Sequence, residues 1–323
     1  MKTEEIGVLL FGYNRPQMLK RRIKELEQMK IKNLFISIDG GPKSHTKEMT
    51  VVKKMAKSHL GNVRNLRIMH YKENLGMVDH FNIAMNRVFK EHKYVVFIED
   101  DIILSENFMS NMIQGFREQS KLKEMGFVSS FSPFFSNSLP NRWRNSFYPF
   151  VWGIGFSRDI WNLYDKDFGK IHIEDSLVKS LNWNQLSNFQ KKYWLKKFKK
   201  IKNDPKYTYD FQLVYLALRY NIKSISPVFT MVGNEGFDDP NASHTSGKKP
   251  RFVTTKYLNN GLIRKKTSFT RAFKFLDSAI VMGDSISYYL YSGFKSNIKG
   301  VLIKLLHSFE KMILRSNTKS KES

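Results

Sequence analysis

The sequence predicts an α/β protein built on a mostly parallel sheet flanked by helices, and three observations carry that expectation. Short apolar runs that read as buried strands alternate with helix-period stripes over the first hundred residues. Each run stops at a polar or glycine-containing cluster, as strands of a doubly wound sheet do at their carboxyl ends. The chain also has enough apolar material for a sizeable core, with 323 residues, 41% hydrophobic and 14% aromatic, which excludes a chain disordered throughout.

The elements follow in order. Ile6 to Phe11 is a continuous apolar run that ends in Gly12-Tyr-Asn-Arg-Pro16. Leu19, Ile23, Leu26 and Met29 then recur at helical spacing, with Asn14 in the N-cap region and Pro16 in the first turn. Leu34 to Ile38 is the second strand, stopped by Asp39-Gly-Gly-Pro42, and a polar helix runs to about His59. Leu66 to Tyr71 is strand-like and leads to the turn Asn74-Leu-Gly76; Phe81, Met85, Val88 and Phe89 mark another helix. Tyr94 to Ile98 is the clearest buried strand and runs straight into Glu99-Asp100-Asp101. From about residue 126 the pattern loosens. Phe127 to Phe131 reads as a strand, 186–206 as a lysine-dense amphipathic segment, Tyr209 to Tyr220 as a helix, and Ser224 to Val232 as extended. The lysine segment is read as a solvated helix, with membrane contact as its alternative.

Composition bounds the chemistry. The absence of cysteine removes disulfide scaffolds, Cys-ligated zinc, iron–sulfur clusters and thiol nucleophiles, so any metal must sit on oxygen or imidazole. A net charge of +25 calls for an acidic partner: nucleic acid, an anionic membrane surface or a phosphorylated substrate. No run of 18 apolar residues suggests a transmembrane helix, and Glu4 and Glu5 precede the first apolar run where a signal peptide would be basic. A cytoplasmic location is expected, peripheral on the inner face of the plasma membrane. Residues 246–323 hold 16 Lys and Arg against 4 Asp and Glu. Within them Ile298, Val301, Leu302, Leu305, Leu306 and Phe309 follow helical spacing opposite Lys295, Lys299, Lys304 and Lys311. Such a helix either packs on the rest of the chain or lies in an anionic membrane surface.

Three polar clusters fall at strand carboxyl ends, on the edge where such a sheet holds its ligand: Asn14-Arg15, Asp39-Gly-Gly41 and Glu99-Asp100-Asp101. Three adjacent carboxylates repel one another unless a cation or hydrogen bonds compensate. A hard divalent ion, Mn²⁺ or Mg²⁺, would compensate, taking carboxylate oxygens and completing its shell with diphosphate oxygens; a solvated acidic turn capping the next helix is the plainer reading. Asp39 offers an acceptor for a base or ribose, and Arg15 a donor fork for phosphate.

The motif string resembles the nucleotide-sugar glycosyltransferases of the GT-A (Rossmann-like) fold, and more narrowly the N-acetylglucosaminyltransferase I-like group. It comprises Phe11-Gly-Tyr-Asn-Arg-Pro16, Ser37-Ile-Asp-Gly40, Phe97-Ile-Glu-Asp-Asp101 with Phe108 beyond it, Phe127-Val-Ser-Ser130 and Trp152-Gly-Ile-Gly155 with Trp161. Asp210 at a helix start, Ile225-Ser-Pro-Val228 and Val232-Gly-Asn-Glu-Gly236 complete it, so the resemblance spans roughly residues 6 to 245. It implies a donor-binding half (1–125), an acceptor-binding half of the same domain (126–245) and a basic, partly helical extension (246–323). It implies that Asp101 ligates the metal on the donor diphosphate, and that Glu99 and Asp100 hold ribose and nucleoside groups. Asp39 would lie near the base, and Asn14 and Arg15 near the nucleotide. Asp210 would be the base of an inverting transfer to a glycan or lipid-linked hydroxyl, with Asp167 and Asp175 as rivals. The implied donor is a nucleoside-diphosphate sugar, UDP-sugar favoured, and the setting is bacterial-type surface polysaccharide synthesis, with the C-terminal helix on an anionic membrane. His244 reads as a donor or metal contact, or as an ordinary loop histidine. Two other classes compete: a non-enzymatic basic nucleic-acid-binding protein, and a nucleotidyltransferase on a similar sheet. No nucleic-acid module is recognisable and an acidic sheet edge repels phosphate, so nucleic acid is not the expected partner. Gly12 to Pro16 lacks the glycine-rich, lysine-containing loop that a nucleotidyltransferase would want.

Overall fold

The computed structural model describes residues 3–238, except 30, 42–45, 62, 122–125, 137–139, 166–167 and 169–171, together with residues 258–263. The N-terminal part alternates as expected: β1 (Ile6–Gly12), α1 (Pro16–Glu27), β2 (Asn33–Ile38), α2 (Thr46–His59), β3 (Asn65–His70), α3 (Met77–Glu91) and β4 (Tyr94–Glu99). A short β5 (Ile102–Leu104) follows, then α4 (Phe108–Lys121), β6 (Gly126–Ser129), β7 (Trp143–Ser146), β8 (Ile154–Ser157) and α5 (Arg158–Trp161). Next come α6 (Ile173–Val178), α7 (Leu181–Asn184), α8 (Asn188–Asn203) and α9 (Asp210–Arg219), and finally β9 (Lys223–Pro227) and β10 (Val232–Asn234).

Eight strands form one sheet in the order β3-β2-β1-β4-β8-β6-β9-β7. Six of them point the same way; β8 runs antiparallel between β4 and β6, and β7 antiparallel beside β9. The expected GT-A (Rossmann-like) fold class, a mostly parallel sheet flanked by helices, is therefore the one observed among the described residues. The two reversed strands and the β5–β10 pair are additions to it. The basic extension, including the amphipathic stripe near residues 298–313, lies outside the described residues apart from 258–263, and His244 and Asp167 lie outside them too.

Alternation along the central strands sorts the core into two layers. Val8, Leu10, Val96 and Ile98 face α1, α2 and α4 through Leu19, Ile23, Val52 and Met112. Leu9, Phe11, Val95 and Phe97 face α3, α5 and α9 through Phe81, Met85, Trp161 and Leu213. Both sides of β1 and β4 are thus covered, which is why those strands read as unbroken apolar runs. Each large side chain so buried contributes about 1.5–3 kcal/mol, and this double cover makes the central strands a rigid base for the loops at their ends.

Candidate donor site at the strand ends

The carboxyl ends of β2, β1 and β4 lie side by side, and main-chain bonds continue past the strands. Asp39 N donates to Gly12 O at 2.9 Å, and Asp100 N donates to Phe11 O at 2.9 Å. The three polar clusters named from sequence therefore converge on one edge. Asn14 is half-buried between β1 and α1, with its Cβ 3.9 Å from where a Cβ on Gly41 would stand. The N-cap of α1 is Arg15 rather than Asn14, and Pro16 takes the first turn.

Arg15 turns onto the acidic cluster. Its Nη1 donates to Asp101 Oδ2 at 3.0 Å, and its Nη2 pairs with Asp100 Oδ1. Burial works against its charge, but Asp100 and Asp101 outweigh burial and raise the Arg15 pKa. The carboxylates respond in the opposite sense. Burial pushes the Glu99 carboxyl up to about 8, with Asp101 adding repulsion, and pushes Asp100 up to about 7 against the pull of Arg15. Asp101 is also raised, by burial. Arg15 is thus bonded to the two buried acids of the run, with half-buried Glu99 beside them.

Two carboxylate oxygens remain over. Asp100 Oδ2 and Asp101 Oδ1 are buried with no hydrogen-bond partner among the described residues. Hard cations prefer this kind of oxygen, so the donor set fits a divalent ion. Among the described residues no three acidic or imidazole groups form a complete cage, so further ligands for such an ion would come from outside this set.

Asp39 is committed to its own loop. Its Oδ1 accepts from Gly40 N at 2.8 Å and Leu75 N at 2.9 Å, and its Oδ2 accepts from Gly76 N at 3.2 Å. The 74–76 turn is thereby pinned beside β2, and Gly40 passes so close to the Glu73 main chain that a side chain there would collide with it.

Two parts of the site carried no assigned role in the sequence reading. The first is the β5–β10 pair, which registers Ile102 with Asn234 and lets Glu235 N donate to Asp101 O at 3.0 Å. Gly236 then packs directly on the Asp101 carboxylate and Arg15 Nη1. Glu235 is held by Arg21 Nη2 at 2.9 Å and by buried Arg22 at 3.5 Å; Arg22 also bonds Glu25 at 2.8 Å. The glycine-flanked string Val232-Gly-Asn-Glu-Gly236 was the available signal, since only such a segment can approach a carboxylate so closely.

Tyr209 is the second. Its ring stacks on Phe81 with centroids 4.0 Å apart, and its hydroxyl lies close enough to lower the Glu99 pKa. Asp210 follows as the first residue of α9, so the helix that carries it is tied to the end of β4 through its neighbour. Asp210 Oδ1 accepts from Phe211 N at 2.8 Å and from the Thr208 hydroxyl. Its pKa is raised, burial exceeding these bonds. Of its rivals, Asp175 is exposed in the first turn of α6.

No family model matches the chain, and no curated protein matches it in sequence. Solved structures align with it in part. S. aureus TarS aligns over 55% of this chain and 32% of its own, with 12% identity and a TM-score of 0.36. A nucleotide-diphospho-sugar transferase structure from Desulfovibrio desulfuricans aligns over 48% and 64%, with 14% identity and a TM-score of 0.29. A UDP-glucose pyrophosphorylase complexed with UDP-glucose aligns over 70% and 91%, with 10% identity and a TM-score of 0.36. The chain spans about a third of TarS, and at these scores the chemistry of the site is read from its own residues.

Proposed function

We propose that the chain is a glycosyltransferase that takes a sugar from a nucleoside-diphosphate donor, UDP-sugar favoured, and passes it to a glycan or lipid-linked hydroxyl. One observation carries the reading: three adjacent carboxylates at the end of β4, Asp100 and Asp101 buried and Glu99 half-buried, with a buried oxygen on each of Asp100 and Asp101 that no hydrogen bond satisfies among the described residues and the Arg15 guanidinium bonded beside them. A solvated acidic turn, the competing interpretation, would be exposed and would need no Arg15.

Asp101 and Asp100 would hold a divalent ion, Mn²⁺ or Mg²⁺, whose contribution is to neutralise charge on the leaving diphosphate. Arg15 supplies a fixed positive charge at the same edge. Glu99, Asp39 and Asn14 line the edge against which the nucleoside is placed. Asp210, with its raised pKa, is suited to take the proton of the acceptor hydroxyl. That oxygen then bonds to the anomeric carbon as the carbon–oxygen bond to the diphosphate breaks, and the electron pair leaves with the nucleoside diphosphate. Displacement from the opposite face inverts the configuration, with no covalent enzyme intermediate. We place the reaction at an anionic membrane surface in surface polysaccharide synthesis, in keeping with the basic C-terminal extension.

A thermal-shift screen of UDP-, GDP-, CMP- and dTDP-sugars, with and without Mn²⁺, tests the reading. One nucleotide class should raise Tm in a metal-dependent way, and Asp101→Asn should abolish the metal dependence. Shifts that are absent for every donor, or unchanged in Asp101→Asn, would overturn it.

A further inference from the structure

Helix α8 is fastened on one side and bare on the other. Ser187 and Gln190 form a reciprocal capping box at its start, and Gln190 Nε2 donates to the Tyr148 hydroxyl at 2.8 Å. Trp194, Phe198 and Ile201 are buried beneath it, with Trp194 and Phe198 stacked at 5.7 Å. The outward side is different in kind. Asn188, Lys191, Lys192, Leu195, Lys196 and Lys199 follow one another at three- and four-residue spacing along that open side.

The helix carries seven lysines and no acid in 16 residues. Part of that charge is accommodated. Lys200 lies 3.6 Å from the Tyr207 ring centroid, Lys197 lies 5.0 Å from that of Phe211, and Lys199 pairs with exposed Glu174 at 2.9 Å. Among the described residues no carboxylate pairs with Lys191, Lys192 or Lys196. Lys192 and Lys196 stand one turn apart, where like charges destabilise a helix. Phe189 shares their stripe at i, i+3 and i+7, and it is 46% exposed.

Charge alone would suit any polyanion. An exposed phenyl ring and a half-buried Leu195 among the lysines gain nothing from a soluble polyanion, whereas the boundary between headgroups and acyl chains accepts both. We propose that the outward face of α8 docks on an anionic phospholipid bilayer, with Lys191, Lys192 and Lys196 among the headgroups and Phe189 at the acyl boundary. The helix is roughly 24 Å long, so it lies in the interface and does not cross it. This inference is independent of the nucleotide-sugar reading, because it concerns a different surface and is tested without donor or metal.

The test is co-sedimentation of the full chain with phosphatidylglycerol–phosphatidylcholine vesicles and with pure phosphatidylcholine vesicles. The wild-type chain should favour the anionic vesicles. Each lysine at an anionic leaflet is worth roughly fivefold in affinity, so Lys191→Ala/Lys192→Ala/Lys196→Ala should weaken binding on the order of 100-fold. Lys20→Ala/Lys24→Ala/Lys90→Ala, with the same loss of charge on α1 and α3, should change it by less than about fivefold. Phe189→Ser should weaken vesicle binding while leaving binding to inorganic polyphosphate unchanged. Equal losses in the two triple variants would reduce the effect to net charge and overturn the proposal. So would wild-type indifference to phosphatidylglycerol, or vesicle binding untouched by Phe189→Ser, the result expected of a soluble polyanion site. The substituted side chains are exposed, or half-buried at Lys20 and Lys191, and unchanged circular dichroism confirms that the variants fold.

Discussion

Arg15 and Asp101, 86 residues apart in sequence, are joined by a 3.0 Å bond from Nη1 to Oδ2. The bond spans two loops: the one that follows β1, and the one between β4 and β5. Because Arg15 also holds Asp100, a single side chain bonds both buried acids of the cluster, whose carboxyls burial nevertheless keeps raised.

Arg15→Ala leaves the buried Asp100 and Asp101 without the guanidinium bonded to them. Breaking a buried pair from one side costs about 3–5 kcal/mol; solvent at the partly exposed Arg15 lowers the expected loss to about 2–3 kcal/mol. Thermal unfolding in the presence of a chelator measures it. Mn²⁺ should restore part of the loss if the cluster takes a cation. Arg21→Ala, which cuts a more exposed pair with Glu235, should cost less than about 1 kcal/mol. Equal losses in the two variants would show that Arg15 is not the counter-charge of the cluster.

Gly236→Ala tests the close approach of the β10 segment to Asp101. The added methyl group meets the Asp101 carboxylate and Arg15 Nη1, so the segment must retreat. Overpacking of this kind costs about 1–3 kcal/mol, and the displaced segment should weaken any metal-dependent thermal shift. Gly61 has open space around its Cβ position, and Gly61→Ala is the matched control, expected to leave Tm and the metal response unchanged. If Gly236→Ala behaved like Gly61→Ala, the segment would be free to move and would play no part in shaping the site.

The portion of this site that was legible in the sequence is the portion made by local patterning. Each of Asn14, Arg15, Asp39, Glu99, Asp100 and Asp101 follows a run of apolar residues covered on both faces, and a strand ended by polar residues marks its own carboxyl end. Side-by-side placement of those ends then follows from the parallel order of β2, β1 and β4. What sequence did not show depends on long-range pairing of short elements. β5 and β10 have three residues each and β7 and β8 four, too few for periodicity to reveal a partner or a direction. Arg21, Arg22 and Glu25 look like ordinary charges on a helix until β10 brings Glu235 against them. Tyr209 looked like a neighbour of Asp210, and its contact with Glu99 exists only because α9 packs under the end of β4.

Glu25 supplies a pH dependence with a defined sign. Burial raises its carboxyl from 4.5 to about 7, more than Arg22 and the Leu104 amide lower it. The folded chain therefore keeps this proton over a range in which the unfolded chain releases it. Its contribution to stability is fully present below about 4.5 and is lost as pH rises through about 7. Glu25→Gln, which cannot release a proton, should gain Tm relative to the wild type as pH rises across that window, with the difference level above it. Paired thermal scans from pH 4 to 8 read this directly. A constant difference across the window would mean that Glu25 titrates normally in the folded chain.

Asp210→Asn separates the two ends of the proposed reaction. Asp210 sits on α9, whereas the acidic cluster sits on the loop after β4, and the link between them runs through the Tyr209 ring and its contact with Glu99. Asparagine fits the same space and still accepts from Phe211 N and the Thr208 hydroxyl, as Asp210 Oδ1 does, so the fold and the donor site should survive. It cannot take a proton. Once the thermal screen has identified a donor, Asp210→Asn should show the wild-type metal-dependent shift with that donor, while sugar transfer falls about 10²- to 10⁴-fold, the usual contribution of a general base. Loss of both would point to a structural role at the head of α9. Retention of both would remove Asp210 as the base and leave the deprotonating group to be sought on another element facing the same edge.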